Sequence, residues 1–188
     1  PRKTMFAAAA LAAASVAVAA TFPSAGRAGR AALSLREDLS IGGLDEETLF
    51  QWTGLAVDRD GNIFVLDMMD CTLKKFGEDG KLLGKTGRKG QGPGEFLAPR
   101  LLDCSDRYVF AADQGVLGVM VFDRDLRYLR LIRTPSLVSR IKALSDDRIA
   151  VHCLTPAGEG SILFLDHEGR TTGRLAYMER SGGWLRDS

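Results

Sequence analysis

Two acidic turns contain the residues whose types and spacing come nearest to a metal site. They are Asp58–Asn62 and Asp123–Asp125, each with two carboxylates separated by one residue. A calcium loop needs about six oxygen ligands and a terminal glutamate, which both turns lack. Carboxylates in such positions more often accept hydrogen bonds from nearby backbone N–H groups. We therefore assign no metal ligand and predict that these carboxylates cap hairpin turns.

A glycine-rich stretch, Gly90–Phe96, superficially suggests a phosphate-binding loop. Such loops present a run of free backbone N–H groups in front of a helix. Pro93 removes one of these donors, and the residues that follow have the pattern of a strand. The stretch is therefore predicted to connect two structural units, with Phe96 packed between them.

Histidine, cysteine and serine residues offer little catalytic chemistry. His152 and His167 lack the paired spacing of metal ligands. The cysteines, Cys71, Cys104 and Cys153, contain no Cys-x-x-Cys pair, and their disulfide pairing cannot be assigned from the sequence. They are predicted to be small apolar filler. Because no Gly-x-Ser-x-Gly elbow is present either, the sequence indicates no catalytic residue and identifies no cofactor.

The first 20 residues have the pattern of a secretory signal peptide. Arg2 and Lys3 precede an uncharged, alanine-rich stretch, Met5–Ala20, which ends in small residues. The alternative is an N-terminal membrane anchor, but this stretch is shorter than the roughly 20 residues that a spanning helix needs. We predict an exported protein, periplasmic or secreted, without a stable membrane span. Residues 21–32 are predicted to be a linker.

Composition indicates a globular domain with an ordinary core. The chain has 188 residues, of which 45% are apolar, and its formal net charge is +1. Because no basic stripe is present, nucleic acid is not an expected partner.

The remaining chain is built from short strands and tight turns. Between residues 54 and 99, apolar runs alternate with turn residues such as Gly61 and Gly80. The runs are Leu55–Val57, Ile63–Leu66, Leu73–Phe76 and Leu82–Leu83. Four antiparallel strands in such a short span form the unit of a β-propeller blade. Upstream, Leu33, Leu35 and Leu39 alternate with polar residues as in a strand, which would serve as the outer strand that closes the ring.

Particular residues recur at nearly constant intervals. Asp67 recurs as Asp113 and Phe76 as Phe122, each 46 residues further on, and Leu165 follows Phe122 by 43 residues. Constant offsets identify a repeat architecture. The alternative, a β-sandwich, would not place the same turn and aromatic residues three times.

The residues at 54–67 and 90–99 resemble a known family. They read Gly-Leu-Ala-Val-Asp-x-x-Gly-Asn-Ile-Phe-Val-x-Asp and Gly-x-Gly-Pro-Gly-Glu-Phe-x-x-Pro, which is similar to NHL-repeat and NHL-like six-bladed β-propellers. This resemblance implies a ring of blades around an axial channel with ligand sites at its mouth. We expect an all-β fold over 33–188, a partial ring of about three four-stranded antiparallel blades, at 53–88, 99–134 and 139–178.

Two arginines depart from the pattern of this family. Gly54 stands where such repeats carry a small residue on the innermost strand. Its equivalents are Arg100, 46 residues on, and Arg140, which precedes Arg148 by eight residues as Gly54 precedes Asn62. Two arginines near the channel would form an anion-binding pair.

The alternative for this pair is structural. Each arginine would then form an ion pair between blades, with Asp103 or Asp146 as its partner. The sequence leaves both interpretations open.

The expected function is a binding or interaction scaffold for a protein, a glycan or an acidic small molecule. It rests on the lack of a catalytic constellation in the visible blades and on the frequent use of such propellers in recognition. The alternative is a metal-dependent hydrolase or lyase, resembling lactonases or hydroxyglycine-amide lyases. A divalent cation at the channel would then be the cofactor.

Export predicts a processed N-terminus. When the gene is expressed with its leader, we expect cleavage near Ala19 or Ala20, after the small residues that a signal peptidase accepts. N-terminal sequencing of the purified protein checks this. A mature chain that still begins at Arg2 would refute it.

Overall fold

The computed structural model describes residues 37, 39–41, 53–155 and 159–178. The predicted signal peptide, the linker and most of the predicted strand ending at Leu39 lie outside these ranges. Within them the chain forms twelve β-strands, connected by turns and loops, and contains no helix. All twelve strands belong to one compact unit, Leu39–Ser188.

The strands form three four-stranded sheets in which sequence neighbours pair antiparallel. Blade 1 contains β1 Thr53–Val57, β2 Ile63–Asp67, β3 Thr72–Phe76 and β4 Leu82–Thr86. Blade 2 contains β5 Pro99–Cys104, β6 Tyr108–Asp113, β7 Gly118–Asp123 and β8 Tyr128–Arg133. Blade 3 contains β9 Leu137–Ala143, β10 Ile149–Leu154, β11 Glu159–Leu165 and β12 Thr171–Met178. The prediction of three four-stranded antiparallel blades is confirmed.

The strand registers reproduce the sequence repeat. Phe76, Phe122 and Leu165 each lie opposite a branched aliphatic residue in the second strand of their blade. Each also stands at a register shift between the third and fourth strands. Their exposed fractions are 1%, 0% and 3%. Leu165 therefore fills, in blade 3, the place that phenylalanine fills in the other two blades.

The apolar cores lie between the blades. Successive side chains of a strand point to opposite faces, so Val109 of β6 packs against blade 1 and its neighbour Phe110 packs against blade 3. Both are fully buried. Burying a side chain of this size contributes about 1.5–3 kcal/mol relative to exposure. The first strands, β1, β5 and β9, contact one another in turn and are therefore the innermost strands.

The connection from blade 1 to blade 2 includes the glycine-rich stretch. Phe96 is fully buried in the core between these blades, and its ring centroid lies 5.9 Å from that of Phe122. Glu95 accepts a hydrogen bond from the backbone N–H of Gly92. The prediction of an inter-blade connection with Phe96 packed inside it is confirmed.

The turn between the third and fourth strands of each blade holds one residue with positive φ. These residues are Gly80, Leu126 and Gly169. Leu126 is only 5% exposed and packs on Gly84 in the outer strand of blade 1, so burial offsets the left-handed backbone, which costs roughly 1–2 kcal/mol. Gly169 packs on the outer strand of blade 2 in the same way.

A short upstream segment occupies the corresponding place beside blade 1. A Cβ on Gly80 would lie 2.9 Å from Leu39 Cδ1 and 3.4 Å from Ile41 Cγ1. In blades 2 and 3 this turn residue contacts the outer strand of the preceding blade. By this repeat, Leu39 and Ile41 lie where the outer strand of a blade preceding blade 1 would lie.

The packing around Phe96 predicts that a side chain at position 87 strongly destabilises the fold. The φ of Gly87 is +84°, and a Cβ would lie 2.6 Å from the Phe96 ring. We expect Gly87→Ala to lower the free energy of unfolding by at least about 1–3 kcal/mol, because strain and overlap act together. Urea unfolding of the 188-residue chain measures this.

Gly84→Ala is the matched control. Its Cβ would make an ordinary contact, 3.6 Å from Leu126 Cδ1, and no positive φ is involved. Its expected change is within about 1 kcal/mol. Equal effects of the two substitutions would contradict the packing described for Phe96.

Candidate functional site

The candidate site lies on the three innermost strands. Their last residues, Val57, Cys104 and Ala143, hold equivalent register positions, opposite Ile63, Val109 and Ile149 of the second strands. Counting back from these ends shows which side chains of the three strands are level with one another.

Register supports one of the two arginine equivalences and corrects the other. Arg140 holds the position in blade 3 that Gly54 holds in blade 1. In blade 2 that position belongs to Leu101, because Arg100 is an extra residue at a bulge in β5. The predicted equivalence of Arg100 with Gly54 is therefore wrong by one residue. An offset counted along the sequence cannot reveal a residue inserted at a bulge.

A second bulge lies in β9. Its extra residue is Ser139, which directly precedes Arg140. The Ser139 hydroxyl is hydrogen bonded to Nδ1 of His152, the cross-strand neighbour of Arg140. Two neighbouring inner strands thus carry bulges beside their arginines, and bulges commonly re-aim side chains next to binding sites.

Neither arginine forms the structural ion pair that the alternative required. Lys142 Nζ donates to Asp103 at 2.9 Å, and Arg148 Nε donates to Asp146 at 2.6 Å. Arg100 and Arg140 are exposed and make no ion pair with another residue in the described part of the chain. The predicted pairing with these carboxylates is therefore wrong.

Asp113 positions the chain that leads into Arg100. This carboxylate is 1% exposed and accepts backbone N–H groups from Leu97 at 2.8 Å, Ala98 at 3.0 Å and Gly115 at 2.7 Å. The first two immediately precede the start of β5. The sequence marks Asp113 only as a repeated residue and does not indicate this role.

The acidic turns act as caps. Asp58, Asp123 and Asp166 each accept backbone N–H groups two and four residues further along the chain, at 2.8–3.0 Å. This confirms the prediction for the first two turns. Asp166 shows that the same carboxylate cap is repeated in blade 3.

Asp58 also ties blade 1 to blade 2. Nη2 of Arg124, in the β7–β8 turn, donates to Asp58 at 2.5 Å and to Asp60 at 2.7 Å. Burial alone would raise the pKa of the Asp58 carboxyl. Hydrogen bonds from Asn62, together with the hydrogen bond and charge of Arg124, outweigh burial and lower that pKa below its ordinary value.

The three cysteines are free thiols. Cys71 and Cys153 are buried in the two inter-blade cores, as expected of apolar filler. Cys104 is half-buried, and burial together with the nearby charges of Asp103 and Asp58 raises its pKa to about 11. Its thiol therefore stays protonated near neutral pH.

Neither histidine lies in a metal-binding cluster of the described residues. His167 stacks on Tyr108 between blades 3 and 2, with ring centroids 4.9 Å apart and planes at 9°. Across the described ranges, no group of three or more histidine, cysteine or acidic side chains is arranged to hold a metal ion. The same ranges contain no helix long and apolar enough to cross a membrane.

Comparison with known families agrees with the three blades. Residues 45–161 match the model of a family described as a 6-bladed beta-propeller. The chain belongs to this family. The strand order of the sheets and their face-to-face packing are those of propeller blades. No curated protein matches the chain.

Solved structures show the same fold. A candidate exported protein from Bacteroides fragilis matches with a TM-score of 0.58 and 18% identity over 76% of this chain and 42% of its own. A streptogramin B lyase matches with a TM-score of 0.52 and 11% identity over 68% and 40%. The nidogen/laminin complex matches with a TM-score of 0.52 and 17% identity over 66% and 46%. The chain thus spans less than half the length of each of these structures.

The Asp58–Arg124 contact predicts an acid-sensitive link between blades. A carboxyl with a lowered folded-state pKa stabilises the fold above its unfolded pKa, and the effect disappears as pH falls through the folded value. Asp58→Asn should therefore lower the free energy of unfolding on the order of 1–2 kcal/mol at neutral pH, since Arg124 is partly exposed. Below about pH 4 the difference should shrink.

Urea unfolding of both proteins across this pH range measures the effect. Asp125→Asn is the matched control, because Asp125 is exposed in the same turn as Arg124. A loss of stability in Asp58→Asn that does not vary with pH would contradict the charged link.

Proposed function

We propose that this propeller is exported, has NHL-like blades and is a binding scaffold whose inner strands recognise an acidic ligand. The ligand is a carboxylate-bearing small molecule or a glycan that contains a uronate. Arg100 and Arg140 are its proposed binding residues. No catalytic residue is proposed.

One observation carries this proposal: the inner strands present two exposed guanidinium groups without an ion-pair partner in the described chain. The described inner strands contain three basic residues, Arg100, Arg140 and Lys142. Lys142 is paired with Asp103, and the other two are not. They extend from neighbouring strands that contact each other.

The chemistry of arginine favours a planar anion. Its guanidinium presents parallel N–H donors that match a carboxylate, and two such groups can hold one ligand from two sides. A hydrogen bond to a charged group contributes about 1.5–3 kcal/mol when shielded from water. Because both side chains are exposed, binding should weaken as salt increases.

Export is supported by the predicted signal peptide, and a candidate exported protein shares the fold. At 18% identity that similarity shows the fold alone. A protein partner is also compatible with the fold, since a similar propeller is present in the nidogen/laminin complex. The arginine pair favours the acidic ligand.

The alternative, a metal-dependent hydrolase or lyase, depends on the family resemblance. A streptogramin B lyase shares the fold at 11% identity, which carries no residue roles over to this chain. No described residue favours this alternative over binding.

The proposal predicts that glucuronate binds at the arginines and that any binding of methyl glucoside, which lacks the carboxylate, does not depend on them. Isothermal titration of the 188-residue chain measures both. Arg100→Ala combined with Arg140→Ala should weaken glucuronate binding by roughly tenfold or more. Each hydrogen bond to a charged group that is lost removes part of the binding free energy. The melting temperature should change little, since both side chains are exposed.

Arg127→Ala combined with Arg133→Ala is the matched control. Both residues are exposed arginines of blade 2 that lie away from the inner strands. This double variant should bind glucuronate as the unmodified chain does. Equal losses in the two double variants, or binding that survives the loss of Arg100 and Arg140, would reject the proposal.

A further inference from the structure

A groove of about 170 Å³ lies at the opposite end of the innermost strands from Arg100. It is lined by the same three-residue position in each blade: Val57–Arg59, Cys104–Asp106 and Ala143–Ser145. Arg100 precedes Cys104 by four residues, or roughly 13 Å along an extended strand. The groove is therefore separate from the proposed acidic-ligand site.

The charges that line the groove are already compensated. Arg59 Nη1 lies 2.9 Å from Asp106 Oδ2 across its rim. The Asp58 carboxylate, 2% exposed, is held by Arg124 and by Asn62. A free anion or cation would have to separate one of these pairs to gain a partner. The arrangement thus disfavours ionic ligands.

Hydrogen-bonding capacity nevertheless remains at the rim. Arg59 and Asp106 are both exposed and retain free donor and acceptor positions around their single contact. The exposed hydroxyl of Ser145 makes no hydrogen bond within the described part of the chain. The rim of the groove therefore offers hydrogen-bond donors and acceptors next to one another.

The lining of the groove is mostly polar, and Val57, Ala143 and Leu144 supply its apolar part. The Val57 side chain is 56% exposed, and Leu144 and Ala143 are half-buried. The thiol of Cys104 adds a weakly polar surface. A volume of about 170 Å³ is well above what a single water needs, so a small ligand can enter the groove.

We propose that this groove binds a neutral polyhydroxylated ligand, such as one pyranose residue of a glycan. Adjacent hydroxyl groups donate to Asp106 and accept from Arg59 while this ion pair stays intact. The Ser145 hydroxyl supplies a further hydrogen bond. The apolar C–H face of the ring lies against Val57 and Leu144.

Cys104 provides a local readout of occupancy. Its half-buried thiol lines the groove, whereas Cys71 and Cys153 are 3% and 1% exposed in the cores and serve as internal references. The 188-residue chain is alkylated with iodoacetamide at mildly alkaline pH, and each cysteine is followed by peptide mass spectrometry. The probes are methyl α-glucoside, methyl α-galactoside and methyl α-mannoside.

Binding should slow the alkylation of Cys104 roughly tenfold when a sugar is present at about ten times its Kd. Asp106→Asn should remove this protection, since it weakens both the acceptor and the ion pair. Asp125→Asn changes an exposed turn residue that does not line the groove, and this variant should retain the protection. Ser145→Ala should weaken protection without removing it.

Several results would overturn the proposal. They are the lack of protection by all three glycosides, protection that survives Asp106→Asn, and equal slowing of the two reference cysteines. If Cys104 proves unreactive without sugar, an NMR titration of the Ser105 and Ser145 amides decides instead, and unchanged shifts overturn the proposal.

Glucuronate separates the two sites. Binding that depends on Arg100 and Arg140 and leaves Cys104 unprotected supports the acidic-ligand site alone. Protection of Cys104 by methyl glycosides in the double arginine variant supports the groove alone.

Discussion

The blades of this chain are thin sheets with apolar faces, and burial between successive blades covers both faces of blade 2 and one face each of blades 1 and 3. It brings the innermost strands so close that the Cβ of an alanine at Gly54 would lie 3.0 Å from Leu102 Cβ. Glycine at position 54 therefore permits this close approach of blade 2. The same closeness places Arg100 and Arg140 on strands in mutual contact and sets ends of three strands around one groove.

Most of the fold could be predicted from local patterns in the sequence. Turn glycines such as Gly61 and Gly80, together with the apolar runs, predict hairpins of blade 1, and the constant spacing of Phe76, Phe122 and Leu165 predicts the repeat. Leu126 is a residue whose conformation the local sequence does not predict. A left-handed turn position favours glycine, yet this leucine occupies it because the position faces a neighbouring blade against which the side chain is buried. Such compensation between distant residues has no local signal.

The site was only partly predictable for the same reason. The repeat identified the inner strands and their arginines, but the bulges at Arg100 and beside Arg140 depend on pairing between strands. Asp113 orders the approach to β5 through contacts 15 and 16 residues away. The groove draws one short segment from each blade, so no continuous motif marks it.

The central claim is that two inner-strand arginines without ion-pair partners form one anion site. A crystal structure of the protein soaked with glucuronate tests this most directly. The predicted result is a carboxylate held between the guanidinium groups of Arg100 and Arg140, with hydrogen bonds of about 2.7–2.9 Å. A carboxylate bound by other residues, or two arginines turned apart with no ligand between them, would contradict the claim.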